Sequence, residues 1–298
     1  VARGLAGVVV LNVADCALGA AGVATLAAAA ASAAPGTLVE LNLGENRLGL
    51  DGAVAVAGLL AAACHLARLN LSACALGDAG AAAVLGAMPC ARALRRLNLR
   101  RNELSAVGCR TVVDAVRGTA LEDVSLAANC ADQETLHDLE ATLTTNTLHA
   151  AAAEGHVSCD LRSRGLGDAS AGAIAAVLCT PTSLTAIDLR NNCLTENGVA
   201  ELYGALCAND RMLEVSLGAC AAGETAAARR VAGRLAANAL RVAKASDLPR
   251  VAGKRGLGDE GAEVVAAHLQ GLPGVATLGL QHNGIGPRGA AALAAALP

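Results

Sequence analysis

Aromatic residues are almost absent from this 298-residue chain, which has no Phe, no Trp and a single Tyr, Tyr203. Lysine is equally scarce, occurring only at positions 244 and 254, whereas Ala occurs 73 times. A core without aromatics has to be filled by Leu, Val and Ala, which favours close packing of helices against sheets. The shortage also excludes stacking of nucleobases on aromatic rings as a main mode of binding.

Strong net charge and long apolar runs are missing as well. The formal net charge is −3 and the sequence pI is about 6.1, so no overall basic field recruits nucleic acid. The most apolar stretch, residues 19–34, is mostly Ala and falls short of the roughly 20 strongly apolar residues of a transmembrane helix. We therefore predict no nucleic-acid partner and no membrane insertion.

A short pattern recurs in ten copies, most often 28 residues apart. Each copy has an anchor position, occupied by Asn, Cys or Arg. The anchors are Cys16, Asn46, Cys74, Asn102, Asn129, Arg164, Asn192, Cys220, Arg255 and Asn283. Leucines alternate before the anchor, as Leu97 and Leu99 do, which is the period of a strand with one inward face. Glycine six residues past the anchor in seven copies, followed by apolar residues at helical spacing, predicts a helix. A fixed period in this range predicts a solenoid.

The sequence of the repeat resembles that of leucine-rich-repeat proteins of the ribonuclease-inhibitor type. Their pattern LxxLxLxxNxL, with Gly and spaced Leu after it, matches residues 38–60, 94–116 and 184–206 almost position by position. The resemblance covers nearly the whole chain. It implies an α/β fold, a leucine-rich-repeat solenoid or horseshoe with a concave parallel β-sheet and convex α-helices in about ten repeats. We expect one solenoid domain over residues 1–298, part of a longer protein because neither end shows a polar cap.

The anchor Asn is predicted to hold the turn together. Its side-chain amide can bond backbone groups of its own loop and of the next turn, and a thiol can replace it in part. The eleven cysteines follow the repeat, are odd in number and contain no CxxC. We therefore predict free thiols, no metal site, and a cytoplasmic location, with the nucleus or a cilium or axoneme as alternatives.

Two strings match the dinucleotide-binding pattern GxGxxG, at residues 256–261 and 284–289. Both coincide with the turn of the repeat, and the related strings ALGDAG at 75 and GLGDAS at 165 indicate that the pattern arose by duplication. The six His show no HExxH spacing and no Ser lies in GxSxG. We predict no enzyme activity, no catalytic residues and no cofactor.

A longer period of 90 or 91 residues lies over the shorter one and groups three repeats. Two copies carry seven extra residues, near 148–156 and near 240–250. Each extension predicts a lengthened convex helix or edge loop, with a protruding partner contact as the alternative. The strands beside the extensions, at 159–161 and 250–252, are weak copies of the pattern.

Arginines gather on the predicted concave face near the middle of the chain. They are Arg96, Arg100, Arg101, Arg162 and Arg190. Because guanidinium groups match carboxylates bidentately, these five residues are the predicted binding site for an acidic segment of a protein partner. The alternative is a solvated set of charges paired with neighbouring Asp and Glu, which would contribute about 0–1 kcal/mol each.

The function that fits these observations is a non-catalytic protein–protein interaction scaffold in a larger multiprotein assembly, such as a cytoskeletal or axonemal complex. Two alternatives belong to other branches of the resembled family. One is a GTPase activator of the Ran-activating type, against which stands the missing acidic C-terminal tail. The other is the ligand-sensing repeat region of a nucleotide-binding immune-type receptor, although this chain contains no nucleotide-binding module.

Overall fold

The computed structural model describes residues 7–32, 38–63, 65–220, 222, 224–242, 255–269 and 278–296. Within these residues short parallel strands alternate with helices, as the repeat predicts. The chain divides into two compact units, Val1–Thr147 and Leu148–Pro298, and each is described by itself. The single domain over residues 1–298 stays a prediction.

Unit 1 contains a five-stranded parallel sheet in chain order. Its strands are β1 (Val10–Asn12), β2 (Glu40–Asn42), β3 (Arg68–Asn70), β4 (Arg96–Asn98) and β5 (Asp123–Ser125). The helices between them are α1 (Ala20–Ser32), α2 (Gly49–Ala62), α3 (Gly77–Gly86) and α4 (Ala106–Val116), and α5 (Gln133–Ala153) follows β5 and also carries the first residues of unit 2.

Unit 2 contains a three-stranded parallel sheet, also in chain order. Its strands are β6 (Ser158–Asp160), β7 (Ala186–Asp188) and β8 (Glu214–Ser216). The helices are α6 (Asp168–Leu178), α7 (Glu196–Ala208), α8 (Ala226–Val242), α9 (Gly258–Leu269) and α10 (Pro287–Ala296).

The two seven-residue extensions have different outcomes. The first is a lengthened helix, since α5 has 21 residues where α4 has 11. The weak strand beside it forms β6. The second extension begins in the last residues of α8, which has 17 residues. Its remainder, residues 243–250, lies outside the described residues, as does the predicted strand at 250–252.

The core is built from the alternating leucines and from helix positions facing them. Leu97 and Leu99 are 2% and 0% exposed, and the helix residues Val84 and Leu202 are equally buried. The period-2 and helical patterns are thus confirmed as inward faces. Because the aliphatic side chains are short, helices and strands pack closely without aromatic rings.

Each anchor Asn joins its own repeat to the preceding one. The Asn102 amide donates from Nδ2 to Leu71 O at 2.8 Å, and its Oδ1 accepts from Cys74 N at 3.0 Å. The prediction that the amide bonds the next turn is wrong in direction. Around the anchor turn, backbone N–H groups point toward the following repeat, as when Leu71 N donates to Asn98 O at 2.9 Å and Ala73 N to Arg100 O at 2.8 Å. The side chain that accepts from Cys74 N therefore comes from the following repeat.

Cysteine replaces the anchor Asn as predicted. The Cys74 thiol donates to Leu43 O at 3.3 Å, and the Cys220 thiol to Leu189 O at 3.2 Å, the bonds that Asn Nδ2 makes elsewhere. Burial raises the pKa of the Cys74 thiol. Every cysteine within the described ranges is a free thiol.

An aspartate at the start of α3, α6 and α9 fastens the next helix, a contact that the sequence pattern did not predict. Asp78 accepts from Ser105 N at 2.9 Å and from Ser105 Oγ at 2.5 Å. Asp168 does the same with Thr195, and Asp259 accepts from the backbone N–H groups of Gly286 and Gly289. A carboxylate at a helix N-terminus satisfies free N–H groups there.

These aspartates also explain glycine at the sixth position past the anchor. A Cβ atom at Gly108 would overlap the Asp78 carboxylate, and one at Gly198 would overlap the Asp168 carboxylate. Asp259 stands in the same relation to Gly289, where a Cβ would lie 2.8 Å from its Oδ1. In these copies the glycine is required by packing between repeats.

Candidate functional site

The outward face of each sheet, away from the helices, is the candidate site. Each strand has three residues, and because the middle one points inward the outer two point outward. We call the first and third positions the leading row and the trailing row. The leading row is Val10, Glu40, Arg68, Arg96 and Asp123 in unit 1, and Ser158, Ala186 and Glu214 in unit 2. The trailing row is Asn12, Asn42, Asn70, Asn98 and Ser125 in unit 1, and Asp160, Asp188 and Ser216 in unit 2.

Asn and Asp of the trailing row stabilise the strand end in the same way. The Oδ1 atom accepts the backbone N–H two residues further on. In unit 1, Asn98 Oδ1 accepts from Arg100 N at 3.0 Å. In unit 2, Asp160 accepts from Arg162 N at 3.0 Å and Asp188 from Arg190 N at 3.1 Å. The local backbone geometry is therefore shared by both residue types.

The aspartates and arginines of the unit 2 face neutralise one another. Asp160 holds Arg162 bidentately, with Nε–Oδ1 at 2.9 Å and Nη2–Oδ2 at 2.6 Å, and Asp188 holds Arg190 with the same two distances. Arg162 Nε also lies 3.5 Å from Asp188 Oδ2. The Arg162 side chain lowers the pKa of Asp160 to about 2, and Arg190 lowers that of Asp188. For Arg162 and Arg190 the structure thus shows the paired arrangement.

The arginines of the unit 1 face are different. Arg96, Arg100 and Arg101 are exposed, and their guanidinium groups make no ion pair or hydrogen bond with any described residue. The neighbouring Arg68 is paired with Glu40 at 2.9 Å. Arg96 lies beside a shallow depression of about 270 Å³ over β2–β5, which Asp123 and the trailing-row asparagines also line. Three cations are therefore available to a partner.

The structure divides the five predicted arginines between the two units. Arg96, Arg100 and Arg101 belong to unit 1, and Arg162 and Arg190 to unit 2. Sequence reasoning placed all five arginines on one face of the sheet but missed what separates the two groups. The sequence distinguishes the two groups: residues 160–162 and 188–190 read Asp-x-Arg, whereas residues 98–100 read Asn-x-Arg.

Both glycine-rich strings line one cavity of about 530 Å³ in unit 2. Asp259 lies in this cavity and accepts from Gly286 N at 2.7 Å and Gly289 N at 2.8 Å. These are the N–H groups at the start of α10 that a bound phosphate would need. A carboxylate already satisfies them and would repel a phosphate, so the strings act as repeat turns.

Neither metal-binding nor membrane-spanning features are found in the described part of the chain. No group of three or more His, Cys, Asp or Glu is placed to hold an ion there. None of the described helices is long and apolar enough to cross a membrane.

The repeats match the family model described as Leucine Rich repeat at residues 37–57, 62–85, 180–202 and 277–294. No curated protein sequence gives a significant match. Together with the strand–turn–helix geometry, the match makes the class plain. The matched residues are leucine-rich repeats, similar to those of the ribonuclease-inhibitor-like type, and the described residues have an α/β repeat fold.

Several solved structures are similar to the chain at low sequence identity. The tropomodulin C-terminal domain of Caenorhabditis elegans is 14% identical, with a TM-score of 0.43, and the alignment covers 49% of this chain and 89% of that one. The leucine-rich-repeat protein LegL7 of Legionella pneumophila is 18% identical, with a TM-score of 0.37, and the alignment covers 98% of this chain and 92% of that one. A chain from the structure of the yeast Rad7 and Elc1 complex is 16% identical, with a TM-score of 0.29, and the alignment covers 67% of this chain and 39% of that one.

Proposed function

We propose that this protein is a non-catalytic scaffold that binds an acidic segment of a protein partner on the outward face of the unit 1 sheet. Leucine-rich repeats are interaction modules, which gives the general role. The observation that carries the particular site is that Arg96, Arg100 and Arg101 are exposed without an ion pair to any described residue. Arginine forks bind carboxylates bidentately, so an acidic segment is the complementary partner.

Arg162 and Arg190 remain proposed partner residues with a smaller contribution. To bind a partner carboxylate, each would have to give up the bidentate contact with Asp160 or Asp188. Exchange of one carboxylate for another gains little free energy at an exposed position. We therefore place the main contact in unit 1.

Charge reversal tests this proposal. The triple change Arg96→Glu, Arg100→Glu and Arg101→Glu should abolish binding of the native partner, found by crosslinking mass spectrometry, and should remove its salt dependence. Arg117→Glu at the end of α4 is the matched control, since Arg117 is exposed and only weakly paired, with Asp114 at 3.8 Å. Circular dichroism should show an unchanged fold. If the triple variant still binds the partner, the interface lies on the helices or on the two seven-residue extensions instead.

Membership of a larger assembly and a reducing compartment complete the proposal. The free thiols among the described residues, four of them buried, support the cytoplasm, with the nucleus or a cilium as alternatives. Size-exclusion chromatography of a native extract, followed by the same crosslinking, tests membership in an assembly. No contact in the described residues favours a GTPase activator or an immune-type receptor.

A further inference from the structure

Three of the four trailing-row asparagines form a line of free amide donors on the unit 1 face. Asn42, Asn70 and Asn98 lie opposite one another in β2, β3 and β4. Each uses Oδ1 for its own strand end, at 3.0 Å from the N–H two residues on. The Nδ2 groups have no partner among the described residues, and adjacent strands lie about 4.8 Å apart. The result is a row of donors about 10 Å long.

The residue in this row also decides whether the following arginine is available. Arg100 follows Asn98 by two positions, as Arg190 follows Asp188 and Arg162 follows Asp160. The backbone bond is the same in all three cases, at 3.0–3.1 Å. The Asp carboxylates hold their arginines at 2.6 Å, whereas the neutral Asn98 leaves Arg100 without an ion pair in the described residues. One atom, amide nitrogen or carboxylate oxygen, separates the two states.

We propose that this asparagine row selects the conformation and chemistry of the partner, an inference that rests on the proposed function. The ligand is an acidic peptide segment in extended conformation that lies across β2–β4. Its carboxylates bind Arg96 and Arg100, and its carbonyl or carboxylate oxygens accept from Nδ2 of the three asparagines.

An extended segment fits the row better than a helix or a nucleic acid does. A helix uses its own carbonyl groups internally, whereas an extended chain exposes every one of them along a line. A single-stranded nucleic acid would need aromatic rings for stacking, and the chain has one Tyr and no Phe or Trp. The row therefore favours a peptide backbone.

A labelled peptide of twelve Glu residues is the probe, measured by fluorescence anisotropy with the full chain at low ionic strength, where surface charges are least screened. A peptide of twelve Gln residues is its neutral control. Asn98→Asp should weaken binding at least tenfold, because it removes a donor and pairs Arg100 as Asp160 pairs Arg162. Asn42→Asp, which has Gly44 two residues on, should weaken binding only about threefold.

The converse change should create a site. The double change Asp160→Asn and Asp188→Asn releases Arg162 and Arg190, so the number of Glu peptides bound should rise from one to two per chain. The backbone bonds of the row are kept in every variant, and circular dichroism confirms that each one folds.

The outcomes separate the inference from the proposed function. If the Glu peptide does not bind, or the arginine reversals leave its binding unchanged, the proposed function fails. If the arginine reversals abolish binding but Asn98→Asp weakens it no more than Asn42→Asp does, only the inference fails. An unchanged stoichiometry in the double variant also overturns the inference. An oligothymidine of twelve nucleotides that competes as well as the Glu peptide would show binding by charge alone.

Discussion

Replacing Asn102 by Ala tests the anchor that joins neighbouring repeats. Asn102 is 0% exposed and bonds the preceding repeat through Leu71 O at 2.8 Å and Cys74 N at 3.0 Å. The alanine side chain can make neither bond. The carbonyl and the N–H group would both remain buried without a partner.

The expected loss follows from these two contacts. An unpaired buried polar group costs about 1–3 kcal/mol, so two of them give a decrease of about 2–6 kcal/mol in the free energy of unfolding. The value lies toward the lower end if water enters the space that the alanine leaves. Asn102→Cys should recover about half of this loss. The Cys74 thiol makes the equivalent bond to Leu43 O at 3.3 Å, but sulfur is a weak acceptor for the N–H group.

Urea unfolding followed by far-UV circular dichroism measures the effect, because the chain has no Trp for fluorescence. Asn197→Ala, at an exposed position in the first turn of α7, is the control and should change the midpoint little. If Asn102→Ala behaves like this control, the anchor does not hold the repeats together. If Asn102→Cys is as unstable as the alanine variant, the thiol is not a substitute.

Three further predictions concern the packing and the loops. Gly108→Ala should lower the free energy of unfolding by about 1–3 kcal/mol, because the added methyl group overlaps the Asp78 carboxylate. In a double-mutant cycle, much of that loss should disappear when Asp78→Ala is present as well. Cys74 should react with iodoacetamide at least tenfold more slowly than the exposed Cys90. Burial raises the pKa of the Cys74 thiol. The stabilising contribution of the protonated thiol is therefore complete below the ordinary thiol pKa and declines as the pH rises above that value. The midpoint of urea unfolding should fall accordingly. Neither NAD nor ATP should bind at micromolar concentration, and a calorimetric signal lost in Gly258→Val would contradict the assignment of the glycine strings to turns.

The repeat architecture could be predicted because it depends on neighbours in sequence. Inward leucines such as Leu97 and Leu99 are two residues apart, and the anchor Asn102 follows three positions after the second of them. Such short spacings fix strand, turn and helix without knowledge of the stack. The direction of the Asn102 contact was wrong because it depends on which way backbone N–H groups point between repeats.

Contacts between repeats were the part that could not be predicted from the sequence alone. Asp78 accepts from Ser105, 27 positions further along the chain, and that pairing exists only once α3 and α4 are stacked. The glycine at position 108 was recognised as part of the pattern, but its reason is the Asp78 carboxylate beside it. The period gives the register of the stack, whereas side-chain contacts across it require coordinates.

The two sheet faces differ through a change at equivalent positions of the longer repeat. Asn98 and Arg100 correspond to Asp188 and Arg190, each 90 residues later. The arginine is the same in both copies, so a role in folding alone would predict the same environment for both. Instead the carboxylate neutralises Arg190 at 2.6 Å, while the amide leaves Arg100 without an ion pair to any described residue. Since the backbone bond of the strand end is kept in both copies, the exchange of Asn for Asp changes availability for binding and leaves the local fold intact. Duplication followed by this exchange gives one arginine that is open to a carboxylate partner, Arg100, and one that is already paired, Arg190.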